Sequence, residues 1–122
     1  MSIQKVLVVD DSKTELMFLT EILHQQGYQV RTAENAEQAL ARLEEEKPDL
    51  ILMDIKMPNL DGLEATKIIR ELSATVPIIA QSAFAYEHDV KAAMEAGCND
   101  FIAKPIAQSK LKEVINKWLT TE

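Results

Sequence analysis

The adjacent acids Asp10 and Asp11, the acid Asp54, the hydroxyl of Ser82 and the amine of Lys104 could do chemistry together if the fold gathers them. Three carboxylates in one cleft repel each other and stay ionised only when a cation compensates them. An all-oxygen set selects a hard ion, and Mg²⁺ prefers an octahedral shell of few carboxylates and several waters. Asp11 and Asp54 are the expected direct ligands, with Asp10 binding directly or through water. A carboxylate is also a nucleophile that can form an acyl phosphate. Phosphoryl transfer needs in-line positioning and neutralised oxygens on the moving group. Beside Mg²⁺, Lys104 would supply positive charge and Ser82 a hydroxyl donor, with Asp54 as the acceptor.

Each residue alone has a plainer reading. Asp10 and Asp11 could cap the helix that starts near Ser12, and Asp54 could be a turn acid before Met57-Pro58. Serine is common at strand ends, and a lysine before proline is usually a solvated charge. The functional reading rests on all of them falling at the same ends of their strands.

That placement follows from the alternation of two apolar patterns. Continuous runs at Val6-Val9, Leu50-Met53, Val76-Ala80 and Phe101-Ala103 read as strands buried on both faces, and the weaker alternation at Tyr28-Thr32 reads as an edge strand. Helical stripes lie between them: Leu16, Leu19, Ile22 and Leu23; Ala36, Ala39, Leu40 and Leu43; Leu63, Thr66, Ile69 and Leu72; Val90, Ala93 and Met94; and Leu111, Val114, Ile115, Trp118 and Leu119. Ser12 to Glu15 and Asn35 to Gln38 have capping-box spacing, Asp61 stands at a third N-cap position, and Gly27 and Gly97 stand where helices end. Strand-helix alternation predicts one α/β domain, a parallel sheet with helices on both faces. Ligands of such sheets sit beyond the carboxyl ends of the strands, where Asp10, Asp11, Asp54, Ser82 and Lys104 all fall.

The set Val-Asp10-Asp11-Ser12, Met-Asp54-Ile-Lys-Met57-Pro58-x-x-Asp61-Gly62, Ser82-Ala83 and Phe101-x-x-Lys104-Pro105 resembles the response-regulator receiver domain, with chemotaxis-regulator-like spacing over essentially the whole chain. The resemblance implies a flavodoxin-like (βα)5 doubly wound fold with a five-stranded parallel sheet in the order 2-1-3-4-5. It implies a phosphorylation-dependent switch of two-component signalling or a phosphorelay. Asp54 matches the phosphoacceptor, Asp10 and Asp11 the metal-binding acids, and Lys56 the residue whose backbone carbonyl binds Mg²⁺. Ser82 matches the switch hydroxyl, Phe101 the switch aromatic and Lys104 the phosphate-binding lysine, whose bond to Pro105 is cis in similar proteins. The implied donor is a phosphohistidine on a sensor histidine kinase or a histidine phosphotransfer domain. The implied target binds the face of the fourth helix, fifth strand and fifth helix. Similar proteins catalyse only their own phosphorylation and slow dephosphorylation. The residues flanking the site at the positions that tune this loss, Lys56 and Phe84, are bulky and predict a slow rate.

Bulk properties agree. The 122 residues suffice for one core, so a single domain over residues 1–122 is expected. A formal net charge of −7 disfavours direct nucleic-acid binding. The lone Cys98 allows no intrachain disulfide and reads as a small buried thiol. No signal-peptide pattern or bilayer-spanning run is present, which predicts a cytoplasmic protein without membrane attachment. It would act as a monomer or a phosphorylation-linked dimer. His24 and His88 lie away from the strand ends, and Phe84 and Tyr86 either pack over their loop or face a partner. A receiver cut from a hybrid histidine kinase or larger regulator is an alternative to a stand-alone regulator. A flavodoxin-like cofactor binder would instead need a phosphate-binding loop after the first strand, where the acids repel phosphate. An Asp-nucleophile phosphatase would need a second acid at the Lys56 position.

Overall fold

The computed structural model describes residues 3–57, 62–72 and 75–119. Strands and helices alternate: β1 (Lys5–Val9), α1 (Lys13–Gln25), β2 (Gln29–Ala33), α2 (Ala36–Glu45), β3 (Leu50–Asp54), α3 (Gly62–Leu72), β4 (Ile78–Ser82), α4 (Glu87–Ala96), β5 (Asp100–Ala103) and α5 (Gln108–Trp118). The strands are parallel and ordered β2-β1-β3-β4-β5. The expected doubly wound fold and strand order are therefore observed. Among the described residues, no helix is long and apolar enough to cross a membrane.

Side-chain alternation along the strands divides the core between two faces. Val6, Val8, Leu50, Leu52, Ile79 and Ile102 meet α1 through Leu19 and Leu23 and α5 through Leu111 and Ile115. Leu7, Val9, Ile51, Met53, Ile78 and Ala80 meet the other helices through Ala39 on α2, Ala65 and Ile69 on α3, and Ala93 on α4. All five residues of β3 and of β4 are buried. This explains why their sequences read as uninterrupted apolar runs rather than alternations. Of the two edge strands, β2 alternates as its sequence predicts, whereas β5 is only partly buried rather than buried on both faces, because it has a neighbour on one side alone.

Local signals act where expected, with some shifts. The Ser12 hydroxyl accepts the Glu15 N–H at 3.3 Å, and Asn35 Oδ1 accepts the Gln38 N–H at 2.8 Å. Gln38 reciprocates to Glu34 N–H rather than to the cap residue itself. Gly27 and Gly97 have φ of 94° and 119°, the left-handed turn that ends a helix, and Cys98 N–H closes the second of these turns on Ala93 O at 3.0 Å. The proposed N-cap Asp61 lies outside the described residues. Strand β2 starts one residue later than expected because Tyr28 N–H is bonded back to Leu23 O. Strand β4 starts at Ile78 rather than Val76; Pro77, just before it, has no N–H to give a ladder.

Two helical stripes are rotated from their expected faces. Helix α4 buries Asp89, Ala93 and Ala96, leaving Met94 39% exposed. Asp89 turns inward because its carboxylate accepts the Tyr86 N–H at 3.3 Å, an N-terminal capping bond. Helix α3 buries Gly62, Ala65, Thr66 and Ile69, and its last residue, Leu72, is 67% exposed. Trp118 is only half-buried: its indole N–H donates to Asp100 at 2.9 Å and ties the end of α5 to the start of β5. Cys98 is buried, as expected.

Gly62 is where α3 presses directly on the end of β3. A Cβ there would lie within 3.0 Å of Asp54 O, Asp54 C and Ile55 Cα, all backbone atoms that cannot swing aside. Gly62→Ala is therefore expected to destabilise the chain by about 1–3 kcal/mol, the range for overpacking a filled core. Urea unfolding of the variant against the parent measures this, and equal midpoints would refute the close contact.

Candidate functional site

The carboxyl ends of β1 and β3 lie side by side, because β1 and β3 are hydrogen-bonded neighbours. Asp10 follows β1 and is wholly buried, while Asp54 ends β3 and is 3% exposed. Asp11 is exposed at the rim. Ligand oxygens of Asp10, Asp11 and Asp54 all lie within 4.8 Å of one another. Backbone donors fix the two buried acids: Ser12 N–H reaches Asp10 Oδ1 at 2.9 Å, and Lys56 N–H reaches Asp54 Oδ1 at 3.0 Å. Asp10 is also held through its main chain, its N–H donating to Ala33 O at 3.0 Å.

Lys104 follows β5 and reaches back over the sheet edge. Its Nζ lies 2.8 Å from Asp10 Oδ2 and 3.5 Å from Asp54 Oδ2. The Lys104-Pro105 peptide is cis, as the family resemblance implies. Burial alone would lower the Lys104 ammonium, but the hydrogen bond to Asp10 and the charges of Asp54, Asp10 and Glu15 raise it above the usual lysine range. Lys104 therefore stays charged.

One lysine does not balance three acids. Burial pushes the Asp54 carboxyl up to about 6; the Lys56 N–H and Lys104 oppose this, and the charges of Asp10 and Asp11 add to it. An uncompensated, all-oxygen, partly buried cluster is the donor set of a hard divalent cation. The residues present thus fit Mg²⁺. Lys56 brings its peptide against the Asp54 carboxylate through its N–H, two residues beyond the acid.

Ser82 and Phe101 lie on neighbouring strands, two register positions apart. Successive strand residues face opposite sides, so Ser82, one residue after Asp54's register partner Gln81, projects to the face of α2, α3 and α4. Its Oγ accepts the Phe84 N–H at 2.9 Å. Phe101, opposite Ala80, shares that face and packs half-buried against its core. Phe84 and Tyr86 are exposed in the following loop and its junction with α4, and Tyr86 stacks on His88 with ring centroids 5.9 Å apart. His24 is exposed on α1, and His88 lies at the start of α4 beside Asp89; neither joins the acid cluster.

Sequence reasoning did not single out two residues that shape this site. Gly62 was part of a quoted motif, but its role as the close contact behind Asp54 depends on the packing of α3. Gln81 interrupts the apolar run of β4 with an amide that is wholly buried, a signal visible in the sequence once the run is known to be a central strand.

Comparison with known proteins agrees with this geometry. Residues 6–116 match the response regulator receiver domain. The chain is 40% identical over 116 residues to the chemotaxis protein CheY of Bacillus subtilis, covering 94% of this chain and 97% of that one. It is 33% identical over 119 residues to the sensor histidine kinase GacS of Pseudomonas protegens, covering 93% of this chain but only 13% of the kinase. The receiver domain of the sensor histidine kinase PA1611 from Pseudomonas aeruginosa, solved with a magnesium ion coordinated in its active site cleft, superposes with a TM-score of 0.90 at 34% identity, covering 98% of this chain and all (100%) of that one. Carboxylates converging at the sheet edge, the strand order and the match along nearly the whole sequence lead to one conclusion: this chain belongs to the response-regulator receiver domains of two-component signalling.

Proposed function

We propose that this chain is a single receiver domain spanning residues 1–122 that accepts a phosphoryl group on Asp54 and thereby changes its affinity for a partner protein. The observation that carries this reading is the cluster of Asp10, Asp11 and Asp54 oxygens within 4.8 Å, bridged on one side by Lys104. Asp10, Asp11, Asp54 and the Lys56 carbonyl would hold Mg²⁺. When bound, that ion neutralises phosphoryl oxygens and leaves Asp54 ionised as a nucleophile.

The chain's own residues do the rest. An Asp54 carboxylate oxygen forms the new bond to phosphorus while the donor's phosphorus–nitrogen bond breaks, and its electron pair stays on the imidazole nitrogen. Lys104, already 3.5 Å from Asp54, turns from the carboxylates to a phosphoryl oxygen. The Ser82 hydroxyl accepts from Phe84 N–H and keeps its own proton free to donate. Movement of Ser82 toward Asp54 opens space on the face it shares with Phe101 and shifts the packing of α4, β5 and α5. Helix α4 suits such a shift, because two alanines and one capped acid make up its buried stripe.

The donor class is a phosphohistidine on a sensor kinase or phosphotransfer domain. The downstream partner is a protein that docks on α4, β5 and α5 in the cytoplasm, whether this chain is a monomer or a phosphorylation-linked dimer. Self-catalysed gain and slow loss of the phosphoryl group complete the cycle, with exposed Phe84 and Lys56 flanking the site.

Incubation with Mg²⁺ and a small phosphodonor such as acetyl phosphate should add one phosphoryl mass to the parent chain and none to Asp54→Asn. Intact-mass spectrometry reads this, and an equally modified variant would reject the acceptor assignment. Ser82→Ala is expected to take up the phosphoryl group yet lose most of the phosphorylation-dependent chemical-shift change at Phe101 and along α4. A full change in that variant would break the proposed coupling.

The raised Asp54 sets a pH dependence for the metal-free chain. Its folded value of about 6 lies above the ordinary carboxylate value, so the folded state binds the extra proton and stability falls as pH rises from about 4 to about 6. The loss attributable to this group is up to about 3 kcal/mol. Urea midpoints across this range should fall less steeply for Asp54→Asn, and less steeply for the parent with Mg²⁺ present. Identical slopes in all three would contradict the electrostatic account.

A further inference from the structure

Gln81 is wholly buried on β4 and is the register partner of Asp54 on β3. Register partners in a parallel ladder project to the same side, so its side chain shares the α1 and α5 face with Asp54. On that face Ile79 and Ile102 are purely apolar. The Gln81 Nε2 donates to the carbonyl of Val9 at 3.3 Å. Val9 lies on β1, and β3 runs between β1 and β4. The carboxamide therefore lies across β3 and ties β4 to the last residue of β1. Its Oε1 is buried with no hydrogen-bond partner among the described residues.

This arrangement is a poor choice for stability alone. Taking an amide out of water is costly unless all of its polar groups are paired, and an apolar side chain of similar length would fill the same space without that requirement. The position of the bond explains the amide better. Asp10 directly follows Val9, and Asp54 directly faces Gln81. Two buried carboxylates repel, and the strand ends that carry them move apart unless something holds them. Lys104 bridges them from above, while the Gln81 strap ties β4, the ladder neighbour of β3, to the end of β1 across β3.

We infer that Gln81 is a positioning residue: by tying β4 to the end of β1 it clamps the end of β3 between them, so that Asp10 and Asp54 stand ready to share one divalent cation. The inference rests on the proposed Mg²⁺ site. Supporting groups behind metal ligands typically change affinity by 10- to 100-fold when removed, because the ligands lose their fixed geometry.

The test uses the full chain with Gln81→Met and Gln81→Leu, both apolar and close in size. Titration calorimetry with MgCl₂ gives the dissociation constant, and urea unfolding without metal gives the stability. The expected result is a dissociation constant raised roughly tenfold, with metal-free stability equal to or above the parent. Parental Mg²⁺ affinity in either folded variant overturns the inference. So does weakened affinity that merely follows a loss of stability, or failure of both variants to fold, since each marks a packing role. Asp10→Asn separates the two levels. If it loses Mg²⁺ while the Gln81 variants keep it, only the strap fails. If the parent chain binds no Mg²⁺, the functional reading fails and the strap with it.

Discussion

Repulsion among Asp10, Asp11 and Asp54 is the constraint around which the rest of the molecule is arranged. Left to itself, a chain would not bring three carboxylates within 4.8 Å. The sheet does so because β1 and β3 are neighbours whose buried residues fix their register. Backbone N–H groups from Ser12 and Lys56 each satisfy one oxygen of the buried acids, and Lys104 supplies the only full positive charge bonded to them among the described residues. Burial, with the charges of Asp10 and Asp11 adding to it, keeps Asp54 reluctant to ionise. A stable core thus holds a cluster that is not at electrostatic rest, an arrangement that a divalent ion would relieve.

The two faces of the sheet divide the work. Asp54 and Gln81 project to the face of α1 and α5, while Ser82 and Phe101 project to the face of α2, α3 and α4. The end of β4 belongs to both, because Gln81 and Ser82 are consecutive and point to opposite sides. A charge change at Asp54 can therefore reach the second face through a single strand end rather than through the core. That core is close-packed and resists continuous deformation. The exposed Phe84, Tyr86 and Met94 lie on the far side of this junction, around the start and flank of α4.

Close packing lies behind Asp54. Gly62 allows α3 to rest on the backbone of Asp54 and Ile55, with no room between the helix and the end of β3. Arg70 on α3 donates to Gly97 O at 2.9 Å and to Asn99 at 2.6 Å, which joins α3 to the turn after α4. Asn99 also accepts the Ile78 N–H at 2.9 Å, at the start of β4. At the opposite end of the sheet from the acids, these bonds tie together α3, the end of α4 and the start of β4.

The order of elements, the two-sided burial of β1, β3 and β4, the edge character of β2 and the residues at the strand ends were legible in the sequence, because period and polarity are local consequences of burial. The family pattern in the sequence supplied the strand order, while the grouping of Asp54 with Asp10, Asp11 and Lys104 followed from their places at the carboxyl ends of the strands. Three kinds of fact needed the tertiary structure. Helix rotation is one: Val90 and Met94 look like the core face of α4, yet a capping bond turns Asp89 inward in their place. Close backbone approach is another, since Gly62 reveals its role only when α3 lies on β3. The last is contact across strands distant in sequence, as between Gln81 and Val9, which are 72 residues apart. Local chemistry names the groups, but only the packing of the whole chain sets which of them share a face and how far apart they stand.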